Sequence, residues 1–251
     1  MGSVFLQETE ATVVVFDLKG FVGMAHRLRP VDLGAALSRF YEHAEQCVLQ
    51  HRGRIIKFVG DLTLAAWLAL EVEDHRLQGL LALREAHHQR CSWVQQGIDR
   101  GLPPLDYSLA IASGPVLAGQ IGTDRLRSFD ILGQATVTAL KLATVATARS
   151  CGHLIAGDTV SGAIAAAAAT PAAVSTGASA PPLATSAIPA IPAIPATPVT
   201  PAVAAVATGA PPALSVPTAM AAGGGRGQFP PVIEVEGIEL AGRPLRLYRL
   251  C

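Results

Sequence analysis

Asp17 closes the apolar run ATVVVFDL (residues 11–18), and Asp61 follows Gly60 between two further apolar stretches, RIIKFV (54–59) and LTLAAWL (62–68). Two carboxylates carried to neighbouring strand ends repel unless a cation joins them. Hard divalent ions such as magnesium take oxygen ligands, and a pair of them about 3.5–4 Å apart can hold both the attacking and the leaving oxygen of a phosphoryl or nucleotidyl transfer. Asp17 and Asp61 are therefore candidate metal ligands. Lys57 stands four residues before Asp61 on the hairpin arm, so it need not pair with that carboxylate and is free to point elsewhere, including across a dimer interface. Taken singly, each residue also has an ordinary role. A strand-end aspartate caps a turn, Gly-Asp is turn chemistry, and a strand lysine is a solvated or snorkelling side chain.

The elements that would position these residues alternate along the chain. ATVVVFDL has the β-branched content and length of a strand. Pro30, Val31 and Asp32 open a helix with apolar positions Leu33, Ala36, Leu37, Phe40, Ala44, Cys47 and Val48, ending near Gly53. RIIKFV and LTLAAWL flank Gly60 and Asp61 as a tight hairpin. A second helix is expected from about Asp74 to Gln96, with Leu77, Leu80, Leu81, Leu83 and Trp93 sharing a face. LDYSLAIAS reads as a strand, Gly114 and Pro115 as a break before VLAGQIG, and SFDILG as a short strand. ATVTALKLATVATAR reads as a third helix, and HLIAGDTVSGAI as a strand, a turn and the start of another helix. VIEVEGIELAGRPLRLYRL alternates apolar and polar residues about a Gly-Arg-Pro turn, which predicts a closing hairpin returning to the sheet. This order predicts an α+β domain with helices on one face of a mainly antiparallel sheet.

Composition narrows the field further. Half of the 251 residues are hydrophobic, but alanine inflates that fraction between Ala163 and Ala222, where "AIAAAAATPAAV" and "AIPAIPAIPATPVTPAV" are nearly free of charge and crowded with proline. Alanine buries little area and repeated proline favours extended segments, so this tract predicts a disordered or semi-stiff insertion rather than core. Such a loop inside one domain costs little in closure entropy. The expected organisation is a main part at 10–165, an insertion at 166–228 and closing strands at 229–251. Formal net charge is zero with scattered basic residues, which argues against nucleic-acid binding. No secretory signal or membrane span is expected. The four cysteines have neither metal-ligand spacing nor the pattern of a disulfide framework, and a reduced cytoplasmic protein is the simplest reading. The seven histidines show no ligand spacing with a third partner and are read as surface or packing residues.

FDLKGF (16–21), GRIIKFVGDLTLAAW (53–67), ASGPVLAGQIG (112–122) and FDILG (129–133), in that order, resemble the class III nucleotide cyclases, the adenylate and guanylate cyclase catalytic domain. EVEGIELAGRPLRLYRL is similar to that family's C-terminal strands. The resemblance implies a ferredoxin-like βαββαβ core. It implies that Asp17 and Asp61 bind two magnesium or manganese ions, and that the backbone from Asp17 through Gly20 to Phe21 helps cradle phosphates. It also implies that Lys57 and Asp130 recognise the adenine edge from the other subunit of a head-to-tail dimer, so that ATP is expected in preference to GTP. The implied reaction is in-line attack of the ribose 3′-oxygen on the α-phosphate, with release of pyrophosphate.

Two positions depart from the family pattern. An asparagine is expected seven residues after the purine-reading aspartate and an arginine eleven after it, both stabilising the transition state. Counting from Asp130, those places hold Val137 and Lys141. Valine cannot hydrogen-bond a ribose oxygen, and lysine keeps the charge but loses the bidentate fork. Lys141 is therefore the remaining candidate catalytic residue. Reduced turnover is expected in a homodimer, and a heterodimer with another cyclase chain would restore the missing groups. The alternative is a degenerate cyclase acting as a nucleotide-binding or regulatory dimerisation module.

Overall fold

The computed structural model describes residues 6–149, 152–169, 219–220, 232–240 and 242–250. Fourteen elements follow one another: β1 (Leu6–Leu18), α1 (Phe21–Arg27), α2 (Pro30–Leu49), β2 (Arg54–Val59), β3 (Leu62–Leu68), α3 (His75–Asp99), β4 (Tyr107–Gly122), β5 (Arg127–Gly133), α4 (Gln134–Ala148), β6 (His153–Ala156), α5 (Gly157–Ala169), β7 (Ala219–Met220), β8 (Val232–Leu240) and β9 (Arg243–Leu250). The expected insertion at 166–228 lies outside the described residues apart from the end of α5 and the two residues of β7.

The strands form one sheet in the order β2-β3-β1-β4-β6-β9-β8-β7, with β5 paired to β4. Neighbours are antiparallel except β4 and β6. β9 joins the sheet through Ile155 opposite Tyr248 and Ala156 opposite Leu247, so the closing hairpin does return as its alternation predicts. The expected α+β fold is present.

Helices cover both faces of the sheet, which corrects the expectation of one covered face. Val14, Phe16 and Leu18 point into a core with Phe40, Ala44 and Cys47 of α2, Leu80, Leu83 and Ala86 of α3, and Val160 of α5. Val13 and Val15 point the other way, against Ala139, Leu142, Ala143 and Ala146 of α4. The physical reason lies in β1 itself: ATVVVF is a continuous apolar run, which a strand carries when both its faces are buried. Gly79 of α3 serves the first face, because a Cβ there would meet Thr12 Cγ2 at 2.5 Å. Leu77 and Leu81, expected on the buried face of α3, are only partly buried; His75, Ala82 and Ala86 take that place.

Two further expectations are corrected. β4 runs unbroken through Gly114 and Pro115, which pair with Ala11 and Glu10 of β1. Proline is tolerated in a ladder where its missing donor is not needed. The short α1, which the spacing did not predict, starts after Gly20, whose φ of 72° is the left-handed conformation that glycine adopts without cost.

Candidate active site

Asp17 sits at the end of β1 with the parity of Val13 and Val15, so it projects toward the α4 side of the sheet. In the ladder it lies opposite Leu62 of β3 and Ser108 of β4. The turn that carries Asp61 is fixed at three points. Gly60 supplies φ of 58°, Asp61 O accepts the Leu18 amide at 2.9 Å, and Tyr41 of α2 donates its hydroxyl to Gly60 O. Tyr41 also stacks on Phe58 with ring centroids 4.2 Å apart. The structure thus brings Asp17 and Asp61 to one end of the β1–β3 pair. Partial burial raises the Asp17 pKa above the ordinary carboxylate value, a bond from Thr147 opposes that rise, and the Asp61 charge adds to it.

Lys57 reaches its position through an irregularity in β2. Ile55 opposes Ala65 and packs on the α2/α3 side, while Lys57 opposes Leu64. Ile56 is the extra residue of a bulge and packs on the α4 side. Strict alternation would have put Lys57 on the face of Ile55; the bulge re-aims it toward α4 and β5. There its ammonium pairs with Asp130 of β5, whose other oxygen accepts the Ile131 amide at 2.8 Å. Asp130 therefore bonds the backbone of its own strand and holds Lys57 at once.

The segment between β1 and α1 is anchored from below. Lys19 N donates to Asp106 O at 2.7 Å, and Lys19 Nζ lies 3.3 Å from the Asp106 carboxylate. Arg90 of α3 grips the same carboxylate through two nitrogens. Gly20 is exposed, its carbonyl accepts the Met24 amide at 3.1 Å, and Phe21 packs on the core.

Val137 and Lys141 lie one turn apart on the exposed side of α4, Val137 with half of its surface accessible. Both line a cavity of about 820 Å³ with Gln134, Asp158, Arg243 and Arg246. The neighbouring Thr136 and Thr138 are buried, and the Thr136 hydroxyl bonds back to Ile131 O at 3.4 Å. Among the described residues, then, Asp17 and Asp61 form one group, Lys57 and Asp130 another, and Lys141 lies apart from both on the cavity side of α4.

Sequence reasoning missed Thr147, Tyr41, Arg90 and Asp106, all of which hold parts of this site in place. No local signal marks them, because each acts on a residue brought near only by the fold.

The sequence model of the adenylate and guanylate cyclase catalytic domain matches residues 5–152. The chain belongs to this cyclase family. Among curated relatives, an adenylate cyclase of Mycobacterium bovis is 29% identical over 133 residues, covering 53% of this chain and 29% of that protein. An uncharacterized protein of Mycobacterium tuberculosis is 24% identical over 154 residues, covering 61% of this chain and 28% of that protein. This cyclase domain thus spans less than a third of the length of the curated relatives it matches. The crystal structure of the adenylyl cyclase CyaB from P. aeruginosa superposes with a TM-score of 0.63 at 17% identity, over 99% of this chain and 96% of that one. A dimeric guanylyl cyclase domain of the RhoGC fusion protein from Blastocladiella emersonii gives a TM-score of 0.54 at 18% identity, over 65% of this chain and 88% of that one. Both likenesses are of fold. No described helix of the cyclase domain is long and apolar enough to cross a membrane.

Proposed function

We propose that the chain converts ATP, in preference to GTP, to cyclic AMP and pyrophosphate at a site shared by two copies, with turnover below that of a complete site. The observation that carries this reading is the convergence of Asp17 and Asp61 at one end of the β1–β3 pair. On this reading, 10–165 and 229–251 make up the domain and 166–228 is an insertion within it.

The donor set fits hard divalent cations such as Mg2+ or Mn2+. It offers two carboxylates and no soft ligand, and a cation would relieve the repulsion felt at Asp17. Among the described residues no three His, Cys, Asp or Glu side chains converge, which leaves room for phosphate oxygens and water, as magnesium prefers. When bound, two such ions neutralise the triphosphate and favour ionisation of the ribose 3′-hydroxyl.

The chain's own residues do the rest. Asp17 and Asp61 hold the ions, and the backbone at Gly20 and Phe21 faces the phosphates. In the second copy, Asp130 accepts from the adenine amine and Lys57 donates to the ring nitrogen, the two halves of a donor–acceptor pair already held together. The 3′-oxygen then attacks the α-phosphorus, its proton passes to solvent, and the bond to the bridging oxygen of pyrophosphate breaks. Lys141 meets the charge that develops there as a point charge instead of a fork.

Val137 favours a second reading. An apolar, half-exposed side chain at the place of the family asparagine offers the ribose no hydrogen bond, which suits a regulatory partner for another cyclase chain. Cyclic nucleotide production with ATP or GTP and Mn2+, beside an Asp17→Ala control, separates the two. Product that vanishes in the control supports the enzyme. No product from the homodimer, despite metal-dependent nucleotide binding, supports the regulatory reading.

A further inference from the structure

Thr147, in the last turn of α4, donates its hydroxyl hydrogen to Asp17 Oδ2 at 2.5 Å and lies 2.8 Å from Ser108 Oγ. The direction of this relay is fixed by valence. An ionised carboxylate only accepts, so the Thr147 proton is committed to Asp17 and Ser108 must donate to Thr147 Oγ1. Ser108 is fully buried on β4, directly opposite Asp17 in the strand register. The relay therefore starts in the rigid sheet, passes through the helix and ends on the carboxylate.

Stability does not require the bond between Thr147 and Asp17. Thr147 is exposed and Asp17 partly so, and water could satisfy both. α4 is already anchored by Ala139, Leu142, Ala143 and Ala146. What the relay does fix is the rotation of a carboxylate that would otherwise turn freely about its last bond. Hydrogen bonds from behind a ligating carboxylate orient it and tune its affinity.

We propose that Thr147 is a positioning residue for the metal site, holding Asp17 by Oδ2 so that Oδ1 is presented to the divalent cation, with Ser108 locking the threonine rotamer. The inference rests on Asp17 being a metal ligand, as proposed above, and reaches beyond the family motif, since Thr147 belongs to no part of it. A threonine on a helix thereby couples the placement of α4 to metal affinity, even though α4 supplies no ligand.

The test is titration of the full chain with Mn2+ alone, following the loss of the paramagnetic resonance signal of the free ion. Four proteins are compared: the parent, Thr147→Val, Thr147→Ser and Asp17→Asn. Thr147→Val keeps the shape and removes the hydroxyl, and weakens Mn2+ binding by about tenfold, the lower end for lost outer-shell bonds. Thr147→Ser restores it, and the thermal midpoint without metal stays level between the parent and Thr147→Ser but falls in Thr147→Val, which leaves the buried Ser108 hydroxyl without its partner. Equal or tighter binding in Thr147→Val, with binding lost in Asp17→Asn, overturns the role of Thr147 and leaves the metal site standing. Weak binding that serine fails to restore also overturns it, as a packing effect. Mn2+ uptake that is absent in the parent or unchanged in Asp17→Asn ends the metal-site reading, and this inference with it.

Discussion

Lowering the pH from 7.5 to 5.0 should remove about 4 kcal/mol of stability through His43 and His153, two of the three buried histidines, and about 2 kcal/mol more through His75, whose pKa burial lowers to about 4. His153 Nε2 accepts the Leu250 amide at 2.8 Å, so the ring is neutral with its proton on Nδ1. Burial first, then the nearby His87, Arg249, Arg90 and His88, push its pKa down to about 3. Tyr107 donates its hydroxyl to Ala86 O at 2.7 Å, so the Tyr107 oxygen must accept from His43 Nε2, 2.8 Å away, a bond that either protonation state of the ring can make. Burial and the Arg39 guanidinium lower its pKa to about 4. In the unfolded chain both titrate near the ordinary value of about 6.5. The sign follows: between these values the unfolded state binds protons that the folded state refuses, so stability is complete above about pH 7.5 and falls as pH drops through 6.5. At pH 5.0 each unfolded imidazole is almost fully charged and each folded one almost neutral, which costs about 2 kcal/mol per histidine. Asp17, whose pKa is raised by burial, works in the opposite sense and offsets part of the loss. Urea unfolding of the full chain at the two pH values reads the sum of these contributions, and the variants apportion it. His153→Gln and His43→Gln, although less stable at pH 7.5, should each lose about 2 kcal/mol less than the parent on acidification. The reasoning fails if the glutamine variants lose as much as the parent.

Two further outcomes concern the site itself. Val137→Asn combined with Lys141→Arg should raise the rate of cyclic nucleotide production by at least about a hundredfold, since each restores a group aimed at developing charge; an unchanged rate would place the missing stabilisation elsewhere. Lys57→Ala should cut the preference for ATP over GTP in competition binding by about tenfold or more, the worth of one good base contact, and an unchanged ratio would remove Lys57 from purine recognition.

Much of this architecture is legible in the sequence because it rests on local patterns. Pro30 and Asp32 mark the start of α2, Gly60 marks the hairpin turn, and alternation in VIEVEGIEL and PLRLYRL marks the returning strands. The second covered face was also encoded, in the unbroken ATVVVF run, but α4 disguises its buried stripe because alanine and threonine carry little hydrophobic contrast. The candidate site residues Asp17, Asp61, Lys57 and Asp130 stand out through their order along the chain. Their mutual placement was not, since the phase of Lys57 depends on a single extra residue, Ile56, that no composition rule predicts. Partners such as Thr147, 130 residues from Asp17, become visible only when strands and helix meet.

β1 sits between β3 and β4 with a helical layer on each side, whereas β2 is the edge of the sheet and Gly60 and Asp61 form its tip. Amide hydrogens at the centre of such a strand exchange with solvent only when the whole domain opens, while edge and turn amides exchange through small local openings. The two carboxylates of the candidate site therefore belong to different grades of local stability. Asp17 is a stationary reference point, and Asp61, with Lys57 on the same outer strand, is the adjustable half. A bound nucleotide would slow exchange chiefly along residues 54–61, so the outer hairpin is where occupancy would be written into the protein's motions.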